Sequence, residues 1–256
     1  MECNVKDFKY SKDGEFLLVD VPYDDFGSAK DTSIIRKNVL PGQFFMVKTP
    51  VGPYVPRPFS VYDLKDGMLR FLIKSGGEFE HFFKNSSKIV IDGPFGNPMP
   101  ILEHPLLLSG GAGYAPIHFY AMRYEFKEMV VGARDEAFFE LVDVPTSSVS
   151  TVEPTTVLDV AKFSPLENVI ACGPVPMLEK TAEIFKDRNL YLVMEEKMAC
   201  GRGMCEGCAI MTKSGIKFVC KDGPTFPANE IMDVSTGHSA VEENSNEQIE
   251  DHDQRR

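Results

Sequence analysis

The chain has 256 residues, 43% of them hydrophobic and 25% charged, and carries a net charge of −11. That excess of acid argues against nucleic-acid binding, whose footprint is basic. No apolar run approaches the ~20 residues of a bilayer-spanning helix, and MECNVKDFKYSKDGEF lacks the apolar core of a signal peptide, so a cytoplasmic location is expected.

The first hundred residues alternate like short strands. EFLLVDV (15–21), GQFFMVKT (42–49), MLRFLIK (68–74) and KIVIDG (88–93) are rich in Val, Ile and Phe and bounded by Gly, Pro and Asp. The polar stretch Tyr23 to Asn38 reads as a loop. GEFEHFFK (77–84) is the one helical candidate, with Phe79, Phe82 and Phe83 as core residues. Several strands with one helix predict a small antiparallel β-barrel over 1–100. Arg57-Pro58-Phe59-Ser60 reads as a turn after a barrel strand. Its arginine fork suits a phosphate, and its serine hydroxyl could reach a ring nitrogen. Alone, the motif is equally an ordinary turn with a surface arginine.

From about residue 103 the rhythm changes. Strands at LLLSGG (106–111), EMVVGAR (128–134), SVSTVE (148–153), NVIACG (168–173) and LYLVMEE (190–196) alternate with helical runs, the first from Ala115 to Phe126. This alternation predicts a doubly wound parallel sheet over 101–194. Gly110-Gly111-Ala112-Gly113 lies at a strand–helix junction, where glycine lets a pyrophosphate approach backbone amides. The full G-x-G-x-x-G is lacking, since Ala115 holds its sixth position. Cys172-Gly173-Pro174 ends a later strand, where ligands of such sheets bind. A buried structural cysteine is the plainer reading there.

Cys200, Cys205, Cys208 and Cys220 follow in the spacing C-x4-C-x2-C-x11-C. The first intervals match plant-type ferredoxins, so thiolates here can wrap a [2Fe–2S] cluster. Structural zinc sites usually carry two short hooks joined by a longer arm, and this stretch has a lone fourth cysteine. The interleaved Gly201, Gly203 and Gly207 allow tight turns that aim amides at sulfur. The pattern favours [2Fe–2S] over zinc or unligated thiols. This stretch, 195–234, reads as a small appended subdomain. The acidic tail 235–256 has only Ala240, Val241 and Ile249 as aliphatic residues and is expected to be disordered.

Taken in order, R-P-x-S, GGxG-x-A-P-I, G-A-R and CGP-x-P-M-L resemble the ferredoxin–NADP reductase superfamily. EEKMACGRGMCEGCAI followed by FVCKDGPTFPANEI is similar to the electron-transfer subunits of two-subunit, NAD-linked dihydroorotate dehydrogenases. The resemblance runs from about residue 8 to Val234. It implies FAD held by Arg57, Pro58, Phe59 and Ser60, with Leu72, Ile73 and Lys74 beside the flavin and Gly76 and Gly77 at its pyrophosphate. The family usually has threonine where Glu78 stands, and a carboxylate beside a pyrophosphate is unfavourable. Asp92 to Gly96 matches the family's turn out of the barrel. NAD would lie against Gly110, Gly111, Gly113, Cys172, Gly173 and Pro174. Asp135 and Glu136 disfavour a 2′-phosphate, and Arg134 pulls the other way.

The resemblance also implies a partner, an FMN-containing catalytic dihydroorotate dehydrogenase subunit, in a heterotetramer of two such chains and two catalytic chains. Electrons would pass from partner FMN through [2Fe–2S] and FAD to NAD+, in pyrimidine synthesis. The loop face around Arg202 and Met204 is the expected docking face. Flavin subunits of sulfur-reducing hydrogenases or ferredoxin–NADP transhydrogenases share these modules, and a zinc-stapled binding module is the non-redox alternative.

Overall fold

The computed structural model describes residues 2–22, 39–84, 86, 88–232 and 234. The expected loop at Tyr23–Asn38 and the expected disordered tail lie outside them. Seven strands form the first sheet: β1 (Glu2–Asn4), β2 (Asp7–Tyr10), β3 (Phe16–Pro22), β4 (Phe44–Thr49), β5 (Gly52–Lys65), β6 (Met68–Lys74) and β7 (Lys88–Phe95). They are antiparallel, in the order β1-β7-β4-β5-β6-β3-β2. β1 and β2 stand at opposite edges, yet only Val5 and Lys6 separate them in sequence. Three peptide steps reach about 11 Å at most. The edges must therefore meet, and the sheet is rolled into a barrel. Lys6 N–H stitches this crossover to the Asp20 carbonyl at 3.0 Å.

Alternation fills the barrel. Leu17, Val19 and Val21 stand opposite Ile73, Phe71 and Leu69, and all six are buried in one core. Helix α1 (Glu78–Phe83) plugs it with Phe79 and Phe83, while Phe82 is half-buried over Gly52.

Arg57-Pro58-Phe59-Ser60 is not a turn. These residues lie inside β5, opposite Val47, Met46, Phe45 and Phe44 of β4. β6 pairs with β5 only from Val61 onward, so this stretch has one free side. That free side lets a proline, which has no N–H for the ladder, sit within the strand.

The second sheet carries parallel strands β8 (Leu106–Gly110), β9 (Glu128–Ala133), β10 (Val149–Val152), β11 (Asn168–Cys172) and β12 (Asn189–Val193). Helices α2 (Tyr114–Ala121), α3 (Ala137–Leu141), α4 (Val157–Ala161) and α5 (Val175–Ile184) connect them. α2 stops five residues before the expected Phe126. Lys127 N–H already pairs with the Pro105 carbonyl at 3.0 Å, which draws the preceding residues out of the helix toward β9. After β12 come the hairpin β13 (Ala209–Thr212) and β14 (Gly215–Phe218), helix α6 (Val219–Asp222) and β15 (Thr225–Pro227). β15 pairs antiparallel with β12, giving the order β10-β9-β8-β11-β12-β15. The cysteine-bearing stretch thus supplies an edge strand of this sheet. Among the described residues no helix is long and apolar enough to cross a membrane.

The barrel meets the second sheet through an aromatic and polar cluster. The Tyr62 and His118 rings stack at 4.2 Å with planes 7° apart. Asp143 N–H donates to the Tyr62 hydroxyl at 2.9 Å, and the Tyr114 hydroxyl donates to the Asp143 carbonyl at 2.6 Å. The same Tyr114 hydroxyl lies 3.1 Å from His118 Nδ1. Burial lowers His118 to about 4, with Asp143 pulling weakly the other way.

A histidine depressed in the folded state binds its proton more readily when unfolded. Its contribution is therefore intact above the ordinary value of 6.5 and is lost as pH falls toward about 4. This single group should cost about 2 kcal/mol of stability at pH 5 relative to pH 7. Urea unfolding of the wild type and His118→Phe across this range tests the account. The variant should lose that part of the pH slope, and parallel curves would refute it.

Candidate functional site

The cysteine loop is shaped by its backbone. Gly201 and Gly203 have φ of 67° and 76°, and Glu206 has φ of 59°. A Cβ on Gly201 would come within 2.6 Å of the Met46 side chain, and one on Gly203 within 2.8 Å of Lys221. The winding turns amides onto sulfur. Arg202 and Cys205 N–H groups each lie 3.4 Å from Cys200 Sγ, and Gly203 N–H lies 3.0 Å from Cys220 Sγ. Cys208 Sγ and Cys220 Sγ are 3.2 Å apart, and Cys220 N–H points at Cys208 Sγ from 3.4 Å.

These thiols differ electrostatically. Burial raises Cys200, but the surrounding N–H groups outweigh it and bring the thiol down to about 6. Burial and the neighbouring Cys208 push Cys220 up to about 12. A metal would take the place of these protons, since only thiolates ligate. Among the described residues no group of three His, Cys, Asp or Glu side chains is drawn close enough to hold a metal ion as it stands. A [2Fe–2S] centre would share four thiolates between two irons. The inward amides and ligand chemistry fit such a cluster.

A second site lies where β8 and β11 run side by side. β8 leads outward to β9 and β10, and β11 leads to β12, so the carboxyl ends of β8 and β11 mark a topological switch point. The loops after these strands touch backbone to backbone. A Cβ on Gly113 would lie 2.5 Å from the Cys172 carbonyl oxygen, and one on Gly173 would lie 3.1 Å from Gly110 N. Gly111 is left-handed, with φ of 54°. Beyond them opens a cleft of about 1220 Å³, lined also by Phe16 and Lys74 of the barrel. Its size and amide-rich floor fit a dinucleotide. Burial raises the Cys172 thiol well above its ordinary value, helped by Glu195, so it stays neutral.

Asp135 and Glu136 do not line the cleft; Asp135 instead accepts Ala137 N–H at 2.8 Å at the start of α3. The carboxylates near Arg134 are Glu15 and Glu153, at 3.9 and 3.8 Å. Sequence reasoning missed both, and also Glu195. The position of Glu153 just past β10 was a usable signal, because ligands gather beyond strand carboxyl ends.

A third recess, of about 520 Å³, is walled by Tyr54, Arg57 and Glu78 on the barrel side and by Lys197 and Met198 from the approach to the cysteine loop. Arg57 pairs with Glu78 across it. Gly76 N–H is engaged by Glu80 at 2.6 Å, while Gly77 has open space where a Cβ would be. Pro58 and Ser60 are half-exposed, and Lys74 is exposed at the cleft. The Phe59 ring packs on Phe71 and Phe79. Leu72 and Ile73 are buried in cores, so any contact of theirs with a ligand falls to the backbone. The cationic Arg57 and the glycines fit a dinucleotide phosphate. Met204 is 75% exposed, and Arg202, also exposed, pairs with Asp92.

Residues 195–232 match the family described as the iron–sulfur cluster binding domain of dihydroorotate dehydrogenase B. A dihydroorotate dehydrogenase B (NAD(+)) electron transfer subunit from Clostridium perfringens is 34% identical over 74% of this chain and 86% of its own length. The chain belongs to this family of electron transfer subunits. A member from Caldanaerobacter subterraneus is 34% identical over 77% of the chain and 88% of its own length. A probable member from Pyrococcus abyssi is 31% identical over 81% and 92%. As a member of the family the chain is an oxidoreductase subunit that carries electrons and has an iron–sulfur binding domain. In fold it resembles a chain of an NADH-dependent reduced ferredoxin–NADP oxidoreductase, with a TM-score of 0.76 at 21% identity over 98% of this chain and 97% of that one. It also resembles phthalate dioxygenase reductase, with a TM-score of 0.57 at 14% identity over 90% of this chain and 77% of that one.

The glycine contact at the switch point is testable. Gly113→Ala would drive its Cβ into backbone that cannot step aside, and should cost roughly 1–3 kcal/mol in urea unfolding while weakening nucleotide binding. Unchanged stability and unchanged binding together would show that the two loops are not in register as described.

Proposed function

We propose that this chain passes electrons from a catalytic, FMN-containing dihydroorotate dehydrogenase partner to NAD+, through one [2Fe–2S] centre and one FAD, in pyrimidine synthesis. The observation that carries the reading is the amide-lined loop of Cys200, Cys205, Cys208 and Cys220, packed against both the barrel and the sheet that holds the nucleotide cleft. When bound, the flavin joins two-electron exchange with nicotinamide to one-electron exchange with the cluster.

The chain's own residues do the rest. Four thiolates hold the irons, and the amides of Arg202, Gly203 and Cys205 offset negative charge on sulfur. Arg57 offers its fork to the flavin diphosphate, with Pro58, Phe59, Ser60 and the β6 end from Leu72 to Lys74 beside it and Gly76 and Gly77 at the phosphates. Gly110, Gly111, Gly113, Gly173 and Pro174 let NAD approach the backbone at the switch point. Cys172, buried and neutral, shapes that floor without adding charge. Glu15 and Glu153 occupy Arg134, which leaves it poorly disposed toward a 2′-phosphate and favours NAD over NADP. In this reading 1–100 serves the flavin, 101–194 the nicotinamide and 195–234 the cluster. The assembly is two such chains with two catalytic chains, in the cytoplasm.

The purified chain should carry FAD with two irons and two sulfides, and NADH should bleach it. A single zinc and no flavin would overturn the reading. Cys205→Ser should lose the cluster and keep FAD, so metal analysis and flavin absorbance must part company in that variant. Glu78 competes with a diphosphate for Arg57. The exposed pair is worth at most about 1 kcal/mol, so Glu78→Thr should tighten FAD binding by up to about fivefold. Flavin fluorescence titration measures this, and weaker binding would mean that Glu78 supports the site.

A further inference from the structure

Cluster-loop residues 201 to 207 have little of their own to hold them down. Arg202, Met204, Cys205, Glu206 and Gly207 are exposed, and only Gly201 is buried. Arg202 reaches the barrel with its side chain. Its guanidinium pairs with Asp92 of β7 and lies 5.1 Å over the Phe95 ring. Its own N–H meanwhile points at Cys200 Sγ. One residue thus touches a cluster ligand through its backbone and the barrel through its side chain.

Where it lands on the barrel matters more. Asp92 stands opposite Met46 of β4, and Met46 stands opposite Pro58 of β5. Asp92, Met46 and Pro58 are therefore one rung across three neighbouring strands, about 10 Å from end to end. Met46 also fills the space beside Gly201. Asn97, two residues past Phe95, ties down the far side of the loop, its side-chain amide donating to the Lys221 and Asp222 carbonyls at 3.1 and 3.0 Å. The loop is thus seated on the barrel rung that carries Pro58, flanked along β5 by Arg57, Phe59 and Ser60.

We infer that Arg202, acting through Asp92 and Phe95, is a positioning residue that fixes the cluster loop at a set spacing from the flavin edge of the barrel. The inference rests on the electron-transfer reading above. An exposed ion pair alone would hold a loop weakly. Here the cation also lies over an aromatic face, and its backbone is bonded to a ligand sulfur. One-electron transfer falls steeply with distance, so a loosened loop would slow it without removing either centre.

The experiment uses the full chain as purified, comparing wild type with Arg202→Met, Asp92→Asn and the charge exchange Arg202→Asp with Asp92→Arg. Hydrogen exchange at the amides of 201–205 should quicken by roughly fivefold to tenfold in both single variants and return toward wild type in the exchange. After NADH is added, flavin reduction should keep its rate while cluster reduction slows in the single variants and recovers in the exchange. Asp92→Asn leaves the loop sequence intact, so it decides the matter if Arg202→Met loses its cluster. Wild-type loop exchange and wild-type cluster reduction in Asp92→Asn would overturn the inference. Loss of rate in the singles with no recovery on exchange would overturn it too, because the pair would not be what holds the loop. Absence of flavin and iron from the wild type would instead defeat the electron-transfer reading, and the loop exchange rates would still judge the latch.

Discussion

Phe44 and Met46 belong to the barrel by pairing and to the parallel sheet by packing. They share one buried core with Leu106, Leu108, Val169 and Leu192 of that sheet, and with Cys208, Ile210, Val219 and Cys220 of the C-terminal stretch. Full burial of such a side chain contributes about 1.5–3 kcal/mol, so none of the three parts can shift without exposing surface that the others cover. The barrel strand β4, the cleft at the switch point and the cysteine loop are placed relative to one another by this shared core. Two of the four cysteines are themselves members of it, and the other two sit on the outer side of the same loop. The cluster site thus has a fixed floor and an accessible rim, as a centre that must exchange electrons with a partner requires.

The barrel was legible where alternation was strong. MLRFLIK is β6 residue for residue, and the predicted strands at 15–21, 42–49 and 88–93 all appear with shifts of a residue or two at their ends. β5 was missed because Pro53, Pro56 and Pro58 read as turn chemistry. The local rule failed because most of that stretch lacks a second strand neighbour, which no local pattern reports. β1 and β2 are too short to show a period, and their role in closing the barrel depends on both edges at once. The gathering of the cysteines was legible from spacing, since the loop that brings them together is mostly local. The pairing of Arg202 with Asp92 was not legible, because the two are distant in sequence.

The glycines divide along the same line. Gly111, Gly201 and Gly203 announce themselves locally, since each takes a left-handed backbone. Gly113 and Gly173 are glycine for another reason, namely the strand loop packed against them. The first kind can be inferred from a motif. The second becomes visible only once β8 and β11 are known to be neighbours.

Three arginines stand at the three sites, each facing acid from a different element. Arg57 of β5 meets Glu78 of α1, Arg134 after β9 meets Glu15 and Glu153, and Arg202 of the cysteine loop meets Asp92 of β7. In a chain of net charge −11 an unpaired cation has abundant wrong partners, and a designated one holds its direction. The consequence differs by site. On the proposed reading Glu78 stands in for a flavin diphosphate that can replace it, because both members of the pair are partly exposed. Glu15 and Glu153 flank Arg134 at 3.9 and 3.8 Å without fixing it tightly. At Arg202 the guanidinium pairs with Asp92, and the Phe95 ring closes one of its faces. The same pairing that is exchangeable at the flavin thus becomes a fastening at the cluster.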